Sequence, residues 1–356
     1  MRFGAFFICE YYPQVHHSQR ELYEAILTQT EFAEQCGFDS AWVAEHHFHP
    51  QYGICPSPPV MLSAMAQRTR RLRLGVAVSL LPFRSPIETA EQYAMVDVLS
   101  NGRLVFGIGR GYIKHEYAGL NLPYEESRDR FLEALEIVGK AWQGETFSHE
   151  GKYHQYQDVA LNLLPVQRPG PPTYLAALSP ESFDLAARLG YGFMVVAHTL
   201  PLDELRRAVA HGRQAWSQAG RSLSELECVA AYHTYLNDSS DRARVRGEEM
   251  LSTYYELVRS FEPSSKHEYM AQIRAGYGTA KVEEVRRNRS LIGSPDEIIE
   301  RIEFLSKEFG ITQFLCICNT GAMTNEETIE TLRLMGERVI PHFAGKAANR
   351  AAASSR

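Results

Sequence analysis

Two apolar patterns alternate along the chain. Short apolar runs at 2–9, 40–48, 72–81, 103–112, 173–178, 192–198, 227–236 and 311–319 read as strands. Between them, apolar residues recur at helical spacing: Phe131, Leu135, Val138 and Trp142 share one face, as do Ile298, Ile302, Leu305 and Phe309. Helices are predicted over 20–35, up to about Arg68, from Pro86 to 100, and over 126–142, 202–219, 241–261 and 324–341, with others opening at Ser179-Pro180 and at Ser294-Pro295. Ser179 and Ser294 cap with Pro at the first helical position, and Ser294/Glu297 and Thr324/Glu327 are capping boxes. Eight strands alternating with helices predict an α/β fold, a (β/α)8 TIM barrel with insertions; a doubly wound sheet is the alternative.

Two segments interrupt this rhythm. Residues 146–172 are polar and aromatic and could form a hairpin. Residues 262–292 lack clear periodicity and carry Lys266, Arg274, Lys281, Arg286, Arg287 and Arg289. A connection that long after the seventh strand predicts a mobile lid at the barrel mouth, with Tyr269, Met270, Ile273 and Tyr277 covering an apolar substrate and Gly276 and Gly278 as pivots. No linker divides the chain, so 1–343 is expected to be one domain, followed by a disordered tail at 344–356.

Composition is that of an ordinary globular protein of 356 residues, and a net charge of -6 argues against nucleic acid as a partner. Six cysteines without a C-x-x-C pair suit reduced thiols in the cytoplasm. Neither a signal peptide nor a membrane-spanning apolar stretch is read.

The candidate chemistry centres on 103–112, RLVFGIGRGY. Gly107, Gly109 and Gly111 weaken a strand, which calls for a bulge or a close approach by a ligand or another backbone. Neither a dinucleotide fingerprint nor a P-loop fits the spacing. In a barrel, Cys9, His46, His47, Val78, Gly109, Arg110, Ser179 and His198 fall at strand C-termini and are expected to share one mouth. Arg110 with Ser179 and Ser182, in the first turn of a helix, suits a phosphate monoester; simple capping is the plainer reading of the serines. Glu45-His46-His47 invites a metal, but neighbouring strand residues point to opposite faces. No metal site is assigned. One histidine in the mouth and one packed against neighbours is the preferred reading.

Several stretches in combination carry a resemblance: MRFGAFFI at the start, CGFDSAWVAEHHF at 36–48, LRLGVAVSLLP at 72–82, AEQYAMVDVLSNGRLVFGIGRG at 90–111, and IGSPDEIIERI at 292–302. With them the chain resembles the bacterial luciferase-like flavin monooxygenases, most of all the luciferase α-type subunit, from Met1 to about Phe343. The resemblance implies reduced FMN (FMNH2) at the barrel mouth, supplied by a separate flavin reductase, with O2 adding at the flavin C4a carbon. The peroxide so formed would oxygenate a small apolar or carbonyl compound. It also implies a dimer. His46 matches the family's catalytic histidine, and Arg110, Ser179 and Ser182 its phosphate-binding positions. Leu178 matches a flavin-contacting position, and Ala77 and Val78 a pair under the isoalloxazine that luciferase joins by a cis peptide. Gly109 stands where luciferase has a reactive cysteine, which leaves light emission open. Tyr11, Tyr12 and Phe48 are candidates for the pocket wall. A deazaflavin (F420)-dependent oxidoreductase is the alternative on the same barrel, and a non-catalytic flavin-binding partner subunit a further one.

Overall fold

Eight parallel strands close into a ring in the computed structural model, which describes residues 1–259 and 281–345. The strands in chain order are β1 (Arg2–Phe7), β2 (Ser40–Val43), β3 (Arg73–Leu80), β4 (Leu104–Gly109), β5 (Phe147–Glu150), β6 (Gln155–Val159), β7 (Thr173–Ala176), β8 (Gly192–Val195), β9 (Cys228–Leu236), β10 (Ser290–Gly293) and β11 (Gln313–Ile317). The ring runs β1-β2-β3-β4-β7-β8-β9-β11, and β11 pairs with β1 to close it. All eight strands expected from the apolar pattern are in this ring, and the fold is the (β/α)8 barrel.

The helices are α1 (Gln19–Gln35), α2 (Pro58–Arg68), α3 (Pro86–Ser100), α4 (Lys114–Gly119), α5 (Ser127–Gln143), α6 (Pro180–Leu189), α7 (Leu202–Gln218), α8 (Ser240–Arg259), α9 (Val282–Arg289), α10 (Pro295–Phe309) and α11 (Asn325–Leu334). Strand alternation sorts the core into two shells. Phe3, Ala5 and Phe7 of β1 point outward, where they join Ile26 of α1 and Ile302 of α10. Phe6 and Ile8 point inward with Trp42, Ala231 and Leu315. Trp42 is fully buried, edge-on to Tyr174 with ring centroids 6.2 Å apart. The hairpin at 146–172 forms as β5 and β6, antiparallel.

Three features differ from the sequence reading. The second strand ends at Val43, so residues 44–48 are loop and the strand argument about Glu45, His46 and His47 does not govern them. The stretch 282–293 is not aperiodic connection. It forms α9 and then β10, which lies parallel to the C-terminal end of β9 as a ninth strand outside the ring. Pattern alone hid α9, because Val285 and the paired Arg289 are its buried residues and its charges are tied locally: Arg286 to Glu248, Arg287 to Glu283, Arg289 to Glu284. The remainder of the expected lid, 262–280, lies outside the described residues, as does the tail from 346.

The third difference concerns α8. Its Met250, Leu251, Tyr254 and Tyr255 pack with the inward shell, among Ile8, Ala44 and Ile317. This helix therefore covers the mouth, while α10 takes the outer position expected after the seventh strand. The helical period is the same whichever apolar surface the helix covers. No described helix is long and apolar enough to cross a membrane.

Candidate functional site

A cavity of about 630 Å³ opens at the C-terminal ends of the ring strands. Of the residues expected at the site, His46, Ala77, Val78, Gly109, Arg110, Leu178, Ser179, Ser182 and His198 line it. The Ala77–Val78 peptide is cis. The glycines of β4 have separate reasons. A Cβ on Gly107 would lie 2.1 Å from the Val76 carbonyl oxygen, so here a neighbouring backbone requires glycine. A Cβ on Gly109 would lie 2.6 Å from Val78 Cγ2, filling the space over Val78 that the cavity uses.

One end of the cavity is built for an anion. The chain leaves β4 at Arg110, whose guanidinium has no ion pair among the described residues, and α5 brings Arg128 to the same wall. Facing them is the N-terminus of α6, which presents the positive end of its dipole; Pro180 has no N–H, and the N–H groups of Ser182 and Phe183 are bonded to Ser179. Ser182 is committed to this turn: its hydroxyl accepts from the N–H of Leu178 and of Ser179, both at 3.1 Å, and donates to the Ser179 carbonyl at 2.7 Å. The plainer reading of Ser182, a cap, therefore describes its hydrogen bonds. Glu181 is the local carboxylate. Its own backbone N–H and the Ser179 hydroxyl hold it below the usual carboxylate range, and Arg128 and Arg110 lower it further.

The other side carries His46. Its Nδ1 lies 3.1 Å from Oε1 of Glu116, a carboxylate only 1% exposed. The ring packs against Tyr52, with centroids 4.6 Å apart. His47 turns away: its Nε2 lies 3.2 Å from Oε1 of buried Glu45, which also pairs with Arg84 and accepts the Leu80 N–H at 3.1 Å. One histidine in the mouth and one packed is thus the arrangement found. Among the described residues, no group of three or more His, Cys, Asp and Glu side chains could hold a metal ion.

Some expected members of the site are elsewhere. Cys9 does not reach the cavity; it is buried at a left-handed φ of 63°, beside Cys55. Tyr12 is buried with its hydroxyl on Glu10, 2.7 Å away. Tyr11 stacks on His16, and Phe48 is 57% exposed. The turn after β1 uses these tyrosines for its own packing. The aromatic wall comes instead from Phe6, Tyr52, Tyr124, Phe131 and Tyr254. Glu116 and Arg128 were not anticipated. Glu116 arrives on the six-residue α4, too short for a periodic signal.

Comparisons with known proteins agree with this fold. The family model for luciferase-like monooxygenase matches residues 1–313. The oxygenase component of a flavin-dependent trigonelline monooxygenase from Acinetobacter baylyi is 27% identical over 353 residues, covering 97% of this chain and 96% of the relative. Among solved structures, monooxygenase RslO1 from Streptomyces bottropensis superposes with a TM-score of 0.83 at 30% identity, covering 96% of this chain and all of that one. The oxygenating constituent of 3,6-diketocamphane monooxygenase from Pseudomonas putida, solved with FMN, gives a TM-score of 0.81 at 22% identity, covering 96% and 98%. F420-dependent oxidoreductases also share the fold.

Proposed function

The chain belongs to the luciferase-like monooxygenase family, and on that premise we propose that it is the oxygenase of a two-component system. It takes FMNH2 from a separate reductase and uses O2 to oxygenate a small apolar or carbonyl compound. The observation that carries this reading is one cavity lined both by an anion-binding end (Arg110, Arg128 and the α6 N-terminus) and by a carboxylate-held histidine. The trigonelline relative, an oxygenase component, and the FMN-bound diketocamphane enzyme point the same way. Six unpaired cysteines suit a cytosolic enzyme.

Reduced FMN, when bound, supplies the electrons that activate oxygen. The residues present fit it. Arg110 and Arg128 would hold a terminal phosphate, and the α6 N-terminus would add the positive end of its dipole. Ala77, Val78 and Leu178 give an apolar wall, and Gly109 keeps the space over Val78 open. Glu116 fixes the His46 ring through Nδ1, leaving Nε2 to give or take a proton beside the reacting atoms. Phe6, Ile8 and Leu315 close the floor and keep water out.

An F420-dependent oxidoreductase is the second reading, because enzymes of that kind share this barrel. Oxygenated product separates the two: FMNH2, O2 and a substrate panel yield it under the first reading, and reduced F420 transfers hydride without O2 under the second.

A further inference from the structure

Across the ring from Ala77 and Val78 the cavity wall changes character. His198 follows β8 in the turn Ala197–Thr199, Ala231 comes from β9, and Tyr254 reaches in from α8. Behind them lies His233, fully buried. Its ring centroid is 4.5 Å from that of His198 and 4.2 Å from that of Tyr254. Neither nitrogen of His233 has a hydrogen-bond partner among the described residues. A buried polar ring without partners costs stability that an apolar side chain of similar size would not, so its presence calls for a role.

His198 supplies the contact with the cavity. Its Nδ1 lies 3.4 Å from the Ala231 carbonyl oxygen, and a carbonyl only accepts. The proton therefore sits on Nδ1, and Nε2 carries a lone pair. Burial pushes this histidine down to about 4, so the ring stays neutral and the lone pair persists at neutral pH. The surrounding wall is flat and apolar: Tyr52 and Tyr254 have ring centroids 6.4 Å apart, with Phe6 and Ile8 nearby. Such walls pack against rings.

We propose that His198, with His233 as its polar neighbour, determines substrate specificity: its Nε2 accepts a hydrogen bond from a hydroxyl group on an otherwise apolar, ring-bearing substrate. This rests on the flavin reading above, since a flavin held by Arg110, Gly109 and Val78 leaves the His198–Tyr254 side for substrate. The substrate class is then hydroxylated ring compounds rather than simple open-chain aldehydes.

Naphthol and its methyl ether differ in the hydroxyl donor and serve as probes. Their affinities are measured by calorimetry on the purified chain, with and without FMN. The expected result is naphthol binding tighter by about tenfold, the scale of one hydrogen bond to a buried acceptor. In His198→Phe and His198→Leu, checked for folding by circular dichroism, the ratio falls to near one. His198→Gln, whose amide oxygen accepts, retains part of it. Equal affinities in the unaltered chain overturn the inference, as does a preference that survives in a folded acceptor-free variant. FMN titration of the same samples keeps the two readings apart. Lost FMN binding with the naphthol preference intact overturns the flavin reading alone; intact FMN binding with equal probe affinities overturns this inference alone.

Discussion

Nδ1 of His46 lies 3.1 Å from Oε1 of Glu116, and the same oxygen accepts the backbone N–H of His47 at 2.9 Å. One buried carboxylate thus fixes both the histidine ring and the loop that carries it. Glu116→Ala removes this hold without touching the anion end. Turnover is expected to fall about 10²-fold, within the range of a lost acid/base group, while FMN affinity changes little. Steady-state kinetics beside a flavin titration measure both. Full activity in the variant contradicts a positioning role for Glu116.

Arg110 is expected to read the phosphate and not the ring system. Arg110→Ala loses a charge-assisted hydrogen bond, which costs about 1.5–3 kcal/mol in FMN affinity. Riboflavin, which has no phosphate, loses almost nothing. Fluorescence titration with FMN, riboflavin and FAD checks this, with FMN preferred in the unaltered chain. A tenfold preference for FAD would argue against a monophosphate site.

Glu10 gives the fold a pH dependence. Burial pushes its carboxyl from 4.5 up to about 7, against the opposing hydrogen bonds from Tyr12, Gly321 and Thr320. The folded chain holds this proton more tightly than the unfolded chain does. Its contribution is therefore complete below pH 4.5 and is lost as pH rises through about 7. The loss is on the order of 3 kcal/mol. In Glu10→Gln that decline is absent. Denaturant unfolding at pH 5 and pH 8 compares the two chains, and a stability difference that does not change with pH would refute the assignment.

The mature assembly is expected to be a homodimer. Val60 on α2 is 71% exposed, and on the neighbouring α3 Met95 is 52% and Leu99 46% exposed. Large apolar side chains exposed on two neighbouring helices suit a protein partner, and a second copy of the chain presents the same side chains. Sedimentation should give twice the chain mass, and Val60→Asp with Met95→Glu should halve it. A monomeric unaltered chain rules the dimer out.

The barrel was legible because its strands are short apolar runs and its outer helices carry capped apolar stripes. Within the stretch 90–111, Asp97 and Arg103 have structural roles. Arg103 donates to the carbonyls of Ala66, Thr69, Leu72 and Ser100, joining the ends of α2 and α3. Asp97 accepts from Gln167 and from the Leu104 N–H, at the start of β4. The strand order then carried His46, Val78, Arg110 and Ser179 to one mouth. What stayed hidden depends on tertiary contact. Glu116 looks like any polar residue until α4 sets it under His46. The α8 stripe does not say whether it covers the outside or the mouth, and β10 is too short to stand out beside its charged neighbours.

This cavity is expected to couple reduced FMN and O2 to oxygenation, with His46 at the reacting atoms. The most direct measurement supplies chemically reduced FMN, isotopically labelled O2 and a panel of apolar, carbonyl and hydroxylated ring compounds, and follows label in the product by mass spectrometry. One labelled oxygen atom per product molecule is expected. His46→Ala should bind FMN as before yet release the oxygen as hydrogen peroxide. Product formed with reduced F420 and no O2 uptake would rule out the oxygenase reading, and normal label transfer in His46→Ala would rule out this role for His46.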